Sequence, residues 1–168
     1  MNHSFFETLQ HSCRQKQSLL CVGLDPRFDS AAGDPREAVR LILERNRRVI
    51  AETLDHAACY KPNIAFYEAW GLPGLEVLQE TLRLIPPEVP VILDAKRNDI
   101  GQTAQGYARA LLEQWDAPAV TLNPYLGPES IAPFLAYPGR GLFMLCRTSN
   151  PASGDLQALE VRCPQAQG

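Results

Sequence analysis

What most limits the folds open to this chain is a regular alternation: five short runs rich in aliphatic and β-branched residues, each separated from the next by a longer helix-like stretch. SLLCVGL (residues 18–24) reads as a strand that ends at Asp25-Pro26. AACYKPN (57–63), VPVILDAK (89–96), APAVTLNP (117–124) and GLFMLCRTS (141–149) read as four more, and Pro62 is expected to end regular pairing of the second. Asp34-Pro35-Arg36-Glu37 has the form of a helix start: Asp34 as N-cap, Pro35 in the first turn, Glu37 placed for a capping box. That helix should run to Leu54, with Val39, Ile42, Val49, Ile50 and Leu54 on one face and Arg40, Glu44, Arg47 and Arg48 on the other. GLPGLEVLQETLRLI (71–85), stopped by Pro86-Pro87, and IGQTAQGYARALLEQW (100–115) supply two further helices, and a fourth is expected after Gly127-Pro128-Glu129. Strands alternating with helices imply βαβ units and a parallel sheet covered by helices.

In such folds functional sites form at the carboxyl ends of the strands. Polar residues gather there in all five runs: Asp25, Lys61, Asp94 with Lys96, Asn123, and Thr148 with Ser149.

At 168 residues, with 45% apolar and 21% charged residues, the expectation is one globular domain over 1–168. A net charge of -3 offers no footprint for nucleic acid or an anionic membrane. No apolar run approaches the ~18 residues of a bilayer span, and the first residues lack the order of a signal peptide, so a cytoplasmic location is expected. The cysteines, at 13, 21, 59, 146 and 163, are odd in number and scattered without a CxxC pair, which suggests free thiols. His3, His11 and His56 are isolated, so no metal site is expected. Trp70 and Trp115 read as packing residues, and Arg45, Arg47 and Arg48 as a solvated face.

The stretch VILDAKRNDI (91–100) carries the strongest chemical signal, with four charged residues directly following three aliphatic ones. Side chains alternate along a strand, so Asp94 and Lys96 should point the same way while Leu93 and Ala95 pack beneath helices. Asp99 falls on the turn beyond, where the dipole of the next helix favours an anion. Salt bridges on a solvated loop would be the plain alternative.

The run Asp-x-Lys-x-x-Asp-Ile followed by Thr103 resembles the signature of the orotidine 5'-phosphate decarboxylases, in their long-loop branch. CVGLDPR at 21–27, YKPNIAFYEAWG at 60–71, TLNPYLG at 121–127 and RTSNPASGDLQ at 147–157 extend the resemblance over residues 19–157. It implies a (β/α)8 TIM barrel fold, of which about the first five β/α units are present here, and decarboxylation of orotidine 5'-phosphate to UMP without any cofactor. Lys61, Asp94, Lys96 and Asp99 would form the charged catalytic array, with Lys96 as proton donor. Asp25 and Thr103 would hold the ribose, and Thr148 or Ser149 would read the pyrimidine. Asp99 would reach the site of a second subunit, which implies a homodimer.

Barrels of this kind have about 250 residues, and the loops after strands 7 and 8 grip phosphate. The sequence is therefore expected to be C-terminally incomplete, with no GxGxxG or GxxxxGK[ST] to replace those loops. Two other readings remain open at this stage: a Mg2+-dependent phosphosugar aldolase or decarboxylase, and an inactive, partner-binding half-barrel.

Overall fold

The computed structural model describes residues 4–27 and 34–160. His3, Cys163 and the tail from residue 161 lie outside the described residues. The alternation read from sequence is realised as β1 (Leu20–Gly23), α2 (Pro35–Thr53), β2 (Ala57–Lys61), α4 (Gly71–Leu84), β3 (Ile92–Arg97), α5 (Gly101–Arg109), β4 (Ala119–Leu122) and β5 (Gly141–Met144). Two short helices, α3 (Ala65–Glu68) and α6 (Ala132–Leu135), precede α4 and β5, and α7 (Gly154–Gln157) follows β5. An N-terminal helix, α1 (Phe5–Lys16), was not expected, although its start is written locally: Ser4 and Glu7 close a capping box.

All strand pairs are parallel and in chain order. β1 pairs with β2, and β3, β4 and β5 form a ladder. Bridges Tyr60 to Val91 and Asn63 to Asp94 join the two groups. Parallel neighbours connected by right-handed crossovers place every connecting helix on the same side of the sheet. Such a sheet has one helix-covered face and one inner face, the arrangement that curls toward a barrel.

Alternation along the strands separates the two faces cleanly. Leu93 and Val120 pack with Ile42, Leu78, Leu111, Leu112 and Phe134 under the helices. Ile92 and Ala119, one residue earlier on the same strands, pack instead with Cys59 and Phe5 of α1 on the inner face. α1 therefore floors the inner side, fixed by Phe5 N–H to the Gly139 carbonyl at 2.8 Å and Ser12 Oγ to the Ala58 carbonyl at 2.8 Å.

Pro62 does end the regular pairing of β2, which stops at Lys61 as expected, although the Pro62 carbonyl still accepts the Asp94 N–H at 2.9 Å and Asn63 forms an isolated bridge to Asp94. Several boundaries differ from the expectations, each for a physical reason. The fifth strand stops at Met144 instead of residue 149, because Leu145 takes the carbonyl of Leu122 and β4 itself ends there, before Pro124. Asp34 caps α2 by accepting the Arg36 N–H, but Glu37 turns outward to pair with Arg40. The helix expected to reach residue 115 widens after Arg109 into a π-helical turn, Ala110–Gln114, which lets the adjacent Leu111 and Leu112 both enter the core. The helix expected after Gly127 begins as a 3-10 turn, Pro128–Ser130, before α6.

A buried polar network ties the site-bearing strands to the helices. Asn46 of α2 donates to the Tyr67 hydroxyl at 2.9 Å and to Thr81 of α4 at 3.0 Å, and Tyr67 donates to the Leu24 carbonyl at 2.9 Å. The end of β1, just before Asp25, is thereby held from behind. Trp70 and Trp115 pack against the main core, and no helix among the described residues is long and apolar enough to cross a membrane.

Candidate active site

Above the apolar floor the inner face turns polar within one strand step. Lys61 lies two residues beyond Cys59, Asp94 two beyond Ile92, and Thr121 two beyond Ala119. These three side chains and Lys96 form one cluster. Lys96 Nζ donates to both Asp94 oxygens at 2.6 Å, Lys61 Nζ approaches Asp94 Oδ2 at 3.3 Å, and Thr121 Oγ1 donates to Asp94 Oδ1 at 2.6 Å. Asp94 is only 5% exposed, whereas the Lys61 and Lys96 side chains are 32% and 44% exposed. The carboxylate is thus buried and the ammonium groups face the open side.

Simple alternation is not the whole reason for this geometry. The β3–β4 register shifts between Leu93 and Arg97, and Lys96 adopts φ +47°, a left-handed conformation that costs a non-glycine residue about 1–3 kcal/mol. The Lys96 N–H then donates to Thr121 Oγ1 at 3.0 Å, so one hydroxyl braces both the backbone of Lys96 and the carboxylate of Asp94. Thr121 carries no charge and lies inside the strand run APAVTLNP, so nothing local marks it as a site residue. Its inward position, two residues after Ala119, is the signal that could have singled it out.

Burial works against ionisation of Asp94, but hydrogen bonds from Lys96 and Thr121 and the charges of Lys96 and Lys61 outweigh it and hold the carboxyl below its usual range. A folded value below the unfolded one means that this group stabilises the fold above the ordinary carboxylate range, about pH 3.9, and loses that contribution as pH falls through the folded value. Thr121→Val should move the Asp94 titration to higher pH, as read by carbon-13 NMR of labelled aspartate. An unmoved titration would show that the hydroxyl does not hold the charge.

The remaining candidate residues occupy different surroundings. Asp25 stands beside the cluster, its Oδ1 accepting the N–H of Asn63, which itself bridges to Asp94. Asp99 accepts the N–H of Ile100 at 2.8 Å and makes no contact with the lysines among the described residues. Thr103 is exposed in the first turn of α5. The Thr148 hydroxyl is engaged by Asn150 and Gln157, while Ser149 is exposed and has no side-chain hydrogen bond among the described residues. Arg97, next to Lys96, points away to Glu68 at 2.5 Å and over the Tyr107 ring.

Comparison with known proteins gives a consistent result. The model of the orotidine 5'-phosphate decarboxylase / HUMPS family matches residues 18–167. An orotidine 5'-phosphate decarboxylase of Dehalococcoides mccartyi is 48% identical over 159 residues, covering 94% of this chain and 56% of that protein. That of Thermomicrobium roseum is 46% identical with the same coverage. The OMP decarboxylase structure of Leishmania donovani superposes with a TM-score of 0.83 at 42% identity, covering 94% of this chain and 59% of the other. The phosphosugar-enzyme and half-barrel readings are not favoured by these relatives. The chain spans little more than half the length of the curated relatives it matches.

Proposed function

Because the chain belongs to the orotidine 5'-phosphate decarboxylase / HUMPS family, with the α/β fold of its TIM barrels over five β/α units, we propose that its inner-face cluster decarboxylates orotidine 5'-phosphate to UMP and CO2. One observation carries the reading: a buried carboxylate, Asp94, held between two ammonium groups on the open side of the strand ends.

Breaking the bond between C6 of the pyrimidine and its carboxylate leaves the electron pair on a ring carbon that has no conventional electron sink. A fixed ammonium stabilises that charge as it develops. Lys96 then gives a proton to C6, forming the C–H bond of UMP, and the neutral amine recovers a proton from water. Asp94 keeps Lys96 charged and in place, and its own charge beside the substrate carboxylate favours the departure of CO2. Lys61 completes the array, Asp25 and Thr103 hold the ribose, and Ser149, whose hydroxyl is not engaged as that of Thr148 is, reads the pyrimidine.

Asp99 serves the site of a second copy of the chain, a reading supported by its lack of contact with the lysines of its own chain. The protein should form UMP from orotidine 5'-phosphate with EDTA present. No UMP above that made by Lys96→Ala, or a rate abolished by EDTA, would overturn the cofactor-free reading. Mixing inactive Lys96→Ala and Asp99→Asn proteins should restore activity, since a mixed dimer holds one site with both native residues. A mixture as inactive as its components would sink the shared site.

A further inference from the structure

Cysteines far apart in the sequence meet on the inner face. Cys21 of β1 and Cys59 of β2 are direct partners in the parallel ladder, so both side chains leave the sheet on one side. Neighbouring strands run about 4.7–4.9 Å apart, within the ~4.4–6.8 Å of Cα separation that a disulfide spans. Both thiols are free, and each shifts the titration of the other.

Their surroundings differ in a useful way. Cys59 is 4% exposed, packed with Phe5, Ile92 and Ala119, whereas Cys21 is open to solvent. The hydrogen bond with Cys59 lowers the Cys21 thiol to about 7 against the opposing effect of burial, with help from the Lys61 ammonium and opposition from Asp25. Cys59 is pushed up, by the same hydrogen bond and then by burial, and stays a thiol. An accessible thiolate beside a protonated partner is the arrangement of an attacking and a resolving cysteine.

We propose that Cys21 and Cys59 form a peroxide-oxidisable dithiol, with Cys21 attacking and Cys59 resolving. The Cys21 thiolate attacks one oxygen of hydrogen peroxide, the O–O bond breaks, and the leaving hydroxide takes a proton to become water. The resulting Cys21 sulfenic acid is attacked by the Cys59 sulfur, whose proton leaves with the hydroxyl as a second water. The two thiols have lost two electrons, the peroxide has gained them, and one S–S bond joins β1 to β2. That bond lies two residues before Lys61 and four before Asp25, and its formation does not depend on the decarboxylase reading.

The full chain is treated with hydrogen peroxide under native conditions and digested with trypsin without reduction. Arg14, Lys16, Arg27 and Arg48 separate Cys13, Cys21 and Cys59 onto different peptides. The expected result is a peptide pair joined through Cys21 and Cys59, lost on adding dithiothreitol and unchanged in Cys13→Ser. In Cys59→Ser, Cys21 should stop at a sulfenic acid that dimedone captures, and in Cys21→Ser no link should form. If Cys59→Ser does not fold, the map of the native protein decides alone. A link through Cys13, a bridge between chains, or Cys21 oxidised to sulfinic acid with no link would overturn the proposal.

Discussion

Lys96→Ala should lower the rate of UMP formation by about 10⁴-fold or more while leaving the protein folded. Proton donation by a placed group contributes about 10²–10⁴-fold. Electrostatic stabilisation of developing charge contributes a further ~10²–10³-fold where one donor is removed. Lys96 supplies both on the proposed reading, and the two effects overlap in a single side chain, so their full product is an upper bound. The stability cost should be small, because the Lys96 side chain is 44% exposed and Asp94 keeps Lys61 and Thr121 as partners. Single-turnover kinetics with saturating orotidine 5'-phosphate separates the chemical step from binding. A loss below tenfold would remove Lys96 from the role of proton donor.

Gly74→Ala should destabilise the fold by about 3–5 kcal/mol, at the upper end of what a single substitution does. A Cβ at Gly74 would stand 2.0 Å from the Tyr67 carbonyl oxygen and 2.8 Å from Trp70 Cβ. The nearest atom belongs to backbone and cannot rotate away. α3 would have to separate from α4, drawing Tyr67 from Asn46 and from the Leu24 carbonyl, and so loosening the end of β1 before Asp25. Urea unfolding followed by tryptophan fluorescence would read the loss in the midpoint. A change below about 1 kcal/mol would mean that the two helices separate without strain, against the close packing of protein interiors.

These two residues show how unevenly the fold and the candidate site were legible in advance. Lys96 stood out because charge directly following an aliphatic run is unusual within a few consecutive residues. Gly74 sits inside an ordinary helical pattern, and only the crossing of α3 over α4 gives it a constraint. The same holds on the inner face: Asp94 and Lys96 share a local pattern, but Thr121 joins them from another strand through a register that packing decides.

The sequence alone determined the number and order of the strands, their parallel arrangement, the Asp34-Pro35 start of α2 and the gathering of polar residues at the strand ends. Each follows from periodicity or turn chemistry written over a few neighbouring residues. Tertiary structure decided the rest. It placed α1 beneath the inner face, turned Lys96 into a left-handed conformation, widened the end of α5 into a π-helical turn and set Cys21 against Cys59. The physical reason is common to all four: strand register and the packing of distant segments are chosen by burial of side chains remote in sequence, and that choice can outweigh local backbone preference.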